Sequence, residues 1–236
     1  GNAGGEKFQC NIADPVKHKV IDILPSRNTE NLCKHFLEYP YKERAEVKKI
    51  IMDLSTLFRS VAKTMFPEAK IVADKFHVIR VVINSLENVR KRIQKEFHET
   101  KRKWFKRSRY LLLKPEYKLT DEDKTELARM LNSSYDLEKA YVLKERFYEV
   151  FRKQTRTEAK KELGNWLLLA ADLSLPEFRH CITTFSNWKT EIANIIGERV
   201  SNGFIEGSNN KIKVLKRISY GVRNFDRFRN RILYLE

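Results

Sequence analysis

The chain has 236 residues, 47 Lys+Arg against 31 Asp+Glu for a net charge of +16, and 42% hydrophobic residues. That length holds one domain of ordinary to large size or two small ones, and apolar residues spread along the chain, with 11% aromatics, exclude wholesale disorder. The longest apolar run, Trp166 to Ala171, falls far short of the roughly 20 residues that cross a bilayer, and no glycine lies between residues 6 and 163, so Gly-rich phosphate cradles are excluded there.

In chain order, Lys7 to Ala13 and Lys19 to Leu24 are short β-prone runs around Asp14-Pro15 and read as a hairpin ended by Pro25-Ser26. Thr29 to Tyr39 puts Leu32, Phe36 and Leu37 on one face of a helix capped by Asn28 or Thr29 and stopped by Pro40. Val47 to Asp53 reads as a strand, Leu57 to Phe66 as a helix and Ala69 to Asp74 as another strand. From Phe76, apolar residues at Val78, Val82, Leu86, Val89 and Ile93 keep a 3.6-residue period, so a long helix begins there. Residues 95–195 hold two prolines and one glycine and read as all-helical, and a Gly-punctuated basic helix ends the chain. The fold class expected is α/β with a large all-helical insertion: residues 1–94, an insertion over 95–195, and a helical return over 196–236.

Gly1 to Cys10 lacks the basic and apolar regions of a secretory leader. Cys10, Cys33 and Cys181, odd in number and without a CxxC pair, read as buried thiols rather than a disulfide framework or zinc site. A cytoplasmic or nucleoid-associated protein is the expectation.

Positive charge is concentrated. Asn88 to Lys118 holds twelve Lys/Arg against three Glu, a local +9, and Gly197 to Glu236 nine against four, a local +5. Within Lys101 to Tyr110, the cations Lys101, Arg102, Lys103, Lys106, Arg107 and Arg109 interleave with Trp104, Phe105 and Tyr110, a composition that tracks phosphates and stacks bases. A solvated helical face is the alternative. A membrane-surface helix would need the continuous apolar face this segment lacks.

Three positions are candidates for chemistry. Asp53 ends a strand before Ser55 and Thr56, where a carboxylate either faces a crevice at the strand edge or caps the next helix. Glu206 is a single acid among Ser, Gly and Asn, followed by seven basic residues through Arg229. It reads equally as a metal ligand in a phosphate-attracting field or as a capping-box acid started by Ser201 or Asn202. Asp74-x-x-His77 straddles a strand-to-helix turn, where a helix-start hydrogen bond competes with metal ligation.

Three blocks carry a family resemblance: KFQCNIADPVKHKVIDILPSR (Lys7 to Arg27), IIMDLSTLFRSVAKTMFPEAKIVADKFHVIRVV (Ile50 to Val82) and SNGFIEGSNNKIKVLKRISYGVRNFDRFRNRIL (Ser201 to Leu233). Over nearly its whole length the chain resembles the DDE-type transposases of bacterial insertion sequences, in the ISL-three group. The resemblance implies an RNase-H-like sheet holding two Asp and one Glu, with a helical insertion before the Glu. It makes Asp53 the second acid and Glu206 the third, both metal ligands, and Asp74 and His77 a supporting structural motif. The family's first Asp belongs to an opening strand upstream of Gly1 to Gly5, and neither Asp14 nor Asp22 matches it. The chain therefore resembles a truncated catalytic core, its first strand and N-terminal DNA-binding region missing, with self-association able to fill the gap in the sheet.

What the resemblance implies for an intact enzyme is DNA transposition: three carboxylates holding two Mg²⁺ (or Mn²⁺) about 3.5 to 4 Å apart, with strand cleavage at the element's end followed by strand transfer. Lys211, Lys213, Lys216 and Arg217 would contact phosphates near the reacting end, and Lys101 to Arg109 flanking DNA. The truncated chain would be inactive. A catalytically silent DNA-binding remnant of the mobile element is the alternative, and an RNA-processing nuclease a third reading.

Overall fold

The computed structural model describes residues 10–198, 203–218 and 224–234, the side chains of residues 203, 205 and 206 excepted. It is a mixed α/β protein in which helices dominate, and contacts divide it into two compact units: Gly1–Asp74 with Glu198–Glu236, and Lys75–Gly197. The expected divisions at residues 94 and 195 differ from these bounds. The long helix from Lys75 packs along the helices that follow it and so groups with them. No helix among the described residues is long and apolar enough to cross a membrane.

The first unit opens with β1 (Cys10–Asp14) and β2 (Lys19–Leu24), paired antiparallel as expected for the hairpin. Residues 7–9 of the expected first strand lie outside the described residues. Asp14 Oδ1 accepts the backbone N–H groups of Val16 and Lys17 at 2.8 and 3.0 Å, which folds the turn. Pairing jumps from Ile12↔Asp22 to Ala13↔Val20, which leaves Ile21 as a bulge, 54% exposed. The bulge breaks the alternation of faces, so Val20 and Ile23 join one core with Ile212, Phe228 and Ile232, while Leu24 joins another with Leu32, Val61 and Met65.

Next come α1 (Thr29–Leu37), capped by Asn28, and α2 (Tyr41–Ala45), then β3 (Lys49–Met52), α3 (Thr56–Met65) and β4 (Lys70–Ala73). β3 and β4 pair in parallel with α3 as the crossover, forming a second two-stranded sheet separate from β1–β2. After the second unit the chain returns with α12 (Gly203–Ile218) and α13 (Phe225–Tyr234), where one basic helix is expected from sequence.

The second unit is helical: α4 (Lys75–Ile93), α5 (Glu99–Arg107), α6 (Arg109–Leu113), α7 (Asp121–Leu131), α8 (Tyr135–Tyr148), α9 (Arg156–Leu173), α10 (Arg179–Asn187) and α11 (Lys189–Ala193). α4 buries Val78, Val82, Leu86, Val89 and Ile93, the face set by its period. Phe147 of α8 stacks on Phe185 at 5.1 Å and meets Trp166 edge-on at 5.0 Å, and the Trp166 indole N–H donates to the Leu143 carbonyl at 2.8 Å. Cys181 is buried, whereas Cys10 and Cys33, expected to be buried, are half-buried because they flank the core from α1 and the edge of β1.

Candidate active site

Parallel pairing of β3 with β4 brings two carboxylates to one edge. Met52 is in register with Ala73, and the Asp74 backbone N–H donates to the Met52 carbonyl at 2.7 Å, so Asp53 and Asp74 each stand one residue past the C-terminal ends of neighbouring strands. Asp74 is buried; His77 is in the first turn of α4, with its ring edge-on to Phe76.

Asp53 does not cap α3. Ser55 does, its Oγ accepting the Phe58 N–H at 3.3 Å, while the Asp53 main-chain carbonyl accepts the Ser55 N–H at 2.7 Å. The Asp53 side chain is left for other work. Its Oδ2 lies 3.8 Å from the Arg27 guanidinium, which also covers the Phe58 ring at 4.6 Å. Oδ1 is buried and has no hydrogen-bond partner among the described residues, an arrangement that costs free energy unless something else supplies a positive charge or a proton. On β1, burial pushes the Cys10 thiol up to about 11, with Arg27 opposing the rise and the Asp53 carboxylate adding to it. The sequence does not connect Arg27 or Cys10 with Asp53, because nothing local marks a strand thiol or a post-strand Arg as its neighbours.

Glu206 lies in the first turn of α12, and its side chain is outside those described, as are Ser201 and Asn202, its alternative capping partners. The helix itself is anchored. Ile212 is buried against β2 and α13, Phe204 stacks on His18 at 5.3 Å, and Asn209, three residues after Glu206, accepts a hydrogen bond from the Asn11 side chain of β1. At the opposite end of the β3–β4 pair, Glu198 bridges Lys49 and Lys70, which are themselves paired in register. Asp22 is buried in β2 and accepts from Arg229 Nε of α13 at 2.5 Å, with His35 Nε2 at 3.8 Å, so it is engaged structurally.

The two carboxylates at the strand edge, Asp53 and Asp74, are hard oxygen donors of the kind that suit a divalent cation such as Mg²⁺ or Mn²⁺. Among the described residues no three His, Cys, Asp or Glu side chains gather in a metal-holding group.

The cations expected to meet DNA are all exposed: Lys101, Arg102, Lys103, Lys106, Arg107 and Arg109 on the α5–α6 segment, and Lys211, Lys213, Lys216 and Arg217 on α12. The aromatics between the first set do not form the expected stacking platform. Phe105 is wholly buried, the Trp104 indole N–H donates to Glu126 at 2.5 Å, and the Tyr110 hydroxyl donates to Asp123 at 3.3 Å. Helical periodicity turned Phe105 into the core, and acids on α7 took the polar edges of its neighbours.

A family model of DDE transposases of the ISL3 group, described as "Transposase", matches residues 2–232. The chain is 25% identical over 228 residues to the transposase for insertion sequence element IS1001 of Bordetella parapertussis, covering 95% of this chain and 56% of that protein. It is 24% identical over 236 residues to the transposase for insertion sequence element IS1557 of Mycobacterium tuberculosis, covering 90% and 53%. A 94-residue stretch is 36% identical to an ATP-dependent protease of Lactococcus lactis subsp. lactis, covering 39% and 26%, too little to carry a function. The chain thus spans about half the length of the two transposases. No solved structure matches it. With the family model reaching from one end of the sequence to the other, the chain belongs to the ISL3 group of DDE-type insertion-sequence transposases.

Proposed function

We propose that this chain supplies part of the catalytic core of a transposase that cuts and joins DNA with divalent cations, on an RNase-H-like framework with a helical insertion. The carrying observation is Asp53: a carboxylate at the end of a parallel strand, released from helix capping, with one buried oxygen lacking a hydrogen-bond partner among the described residues. An antiparallel pair followed by a parallel pair, left as two separate sheets, also fits a framework in which an upstream strand carrying the first Asp would lie between them.

In this reading Asp53 and Glu206 would hold Mg²⁺ or Mn²⁺, which when bound would offset the charge that develops on a phosphate under in-line attack. The chain's own residues do the rest. Asn11 and Asn209 hold α12 to β1 and so set where Glu206 starts. Arg27 balances the Asp53 charge. Lys211, Lys213, Lys216 and Arg217 draw in phosphates. Asp74 and His77 support the strand-to-helix turn. A protein acting on chromosomal and element DNA would work in the cytoplasm at the nucleoid, and self-association would offer another way to fill the sheet.

Arg27, 3.8 Å from Asp53, favours a second reading: a guanidinium standing in for a cation beside a catalytically silent site, in a chain that only binds DNA. The experiment that separates them measures Mg²⁺- or Mn²⁺-dependent nicking of insertion-sequence end DNA by a chain extended upstream to include an Asp-bearing strand. Under the catalytic reading Asp53→Asn and Glu206→Gln each lower nicking by at least about 100-fold, in line with loss of a group that holds a catalytic cation. No nicking above background in any of the three chains would leave the silent reading, and equal nicking above background would exclude the assignment of Asp53 and Glu206.

A further inference from the structure

The second unit contains an open cleft of about 660 Å³ lined by the C-terminal half of α4 and by the α5–α6 segment. Its charged side chains fall into two sets. Arg90, only 3% exposed, donates to both Glu87 oxygens at 2.8 and 2.6 Å and to Gln94 at 2.5 Å, and Arg92 donates to Glu177 at 2.6 Å and Asp136 at 2.9 Å. These two are spent on holding the walls. The other set is Lys91, Lys95, Arg102, Lys106 and Arg109, none of which has a carboxylate within 4.0 Å among the described residues.

We propose that this cleft is a DNA-contact surface in its own right, occupied by the phosphate backbone of duplex DNA. The inference rests on the reading that the protein acts on DNA, and it adds the place and the kind of contact. Five cations without an ion-pair partner among the described residues, around one concavity, repel one another and focus a positive field that a polyanion relieves. The field is felt locally. Burial alone would raise the Glu87 carboxyl, yet Arg90, then Lys91 and Arg109, hold it below its ordinary value.

Helical spacing then sorts the six cations that the sequence offers as one group. Arg102 and Lys106, at i and i+4, share a face of α5, and together with Arg109 at the start of α6 they line the cleft. Lys101, Lys103 and Arg107 do not. Lys103 pairs with Glu99 at 2.6 Å and Lys101 covers the Phe97 ring at 4.1 Å. Lys91 and Lys95, one turn apart, form the facing rail. Among the described residues no aromatic side chain lines the cleft, so they offer it no stacking platform of the kind single strands use. Cations that meet phosphates fix a duplex by its backbone, independently of sequence.

The test is binding of a random-sequence duplex by the full chain, followed by fluorescence anisotropy in EDTA across a salt series, so that catalysis plays no part. Arg102→Gln/Lys106→Gln/Arg109→Gln is compared with Lys101→Gln/Lys103→Gln/Arg107→Gln, which removes the same charge from the same segment. The cleft triple makes the negative slope of log K against log[salt] shallower by about 2 to 3, at roughly 0.9 per phosphate contact, and weakens low-salt binding by about tenfold or more, while the control triple changes affinity less than about threefold. Lys91→Gln/Lys95→Gln shifts the slope the same way by about 2. Equal effects of the two triples, with wild type binding, overturn the cleft alone. A single-stranded RNA of the same length is titrated in parallel, and a loss confined to that RNA overturns the duplex assignment. Wild type that binds no DNA sinks the underlying reading as well, and thermal melts matching wild type show that each variant is folded.

Discussion

The side-chain amide of Asn11 on β1 donates a hydrogen bond to the side-chain oxygen of Asn209 on α12, joining residues 198 positions apart and fixing the helix that begins with Gly203 to the edge of the first sheet. A bond between two uncharged, part-buried groups contributes about 1 kcal/mol. Asn11→Ala and Asn209→Ala should each lower stability by about that amount in urea denaturation, and the double variant should cost little more than either single one, since both remove one interaction. Additive losses would mean that the two side chains act separately.

Cys10 reports on the charges around Asp53 without any need for activity. Its thiol, pushed to about 11 chiefly by burial, feels Arg27 and Asp53 with opposite signs. Removing the carboxylate lowers the thiol pKa and raises the thiolate fraction, so Asp53→Asn should speed iodoacetamide labelling of Cys10 at pH 8, and Arg27→Gln should slow it. Peptide mass spectrometry separates Cys10 from Cys33 and Cys181. Rates unmoved by both substitutions would remove this electrostatic description of the site.

Glu198 should give the fold an acid-sensitive contribution. Burial alone would raise its carboxyl, but hydrogen bonds from Lys49 and Lys70 outweigh burial and hold it below the ordinary 4.5. A carboxyl that is more acidic folded than unfolded binds more protons in the unfolded chain, so its contribution is whole above about pH 4.5 and is lost as pH falls through the lower folded value. Thermal melts of wild type and Glu198→Gln should converge at acid pH and separate above it, with wild type the more stable. A constant gap across pH would show that the bridge to Lys49 and Lys70 does not titrate this way.

Local signals were strong where one element explains its own residues. The run KVIDIL is the strand Lys19–Leu24, Asn28 caps the helix after it, and the apolar period from Val78 to Ile93 is the buried face of α4. The short helix Tyr41–Ala45 escaped notice because it buries none of its residues and so carries no apolar period. The choice between capping and chemistry at Asp53 could not be read locally either, since Ser55 is an equally good cap two residues later and only coordinates show which side chain took the role. Likewise Trp104 and Phe105 look like nucleic-acid aromatics until α7 and the core claim them.

By itself the sequence determined most of the elements, the surplus and location of positive charge, and family membership, because propensity, apolar period and motif are properties of neighbouring residues. Tertiary structure alone decided which distant groups meet: Asn11 with Asn209, Glu198 with Lys49 and Lys70, Asp22 with Arg229, and which three of six adjacent cations share a cleft with Lys91 and Lys95. Such partners leave no local trace, since a charged or amide side chain is equally at home in water until the packing of two elements removes the water and leaves one neighbour to bond.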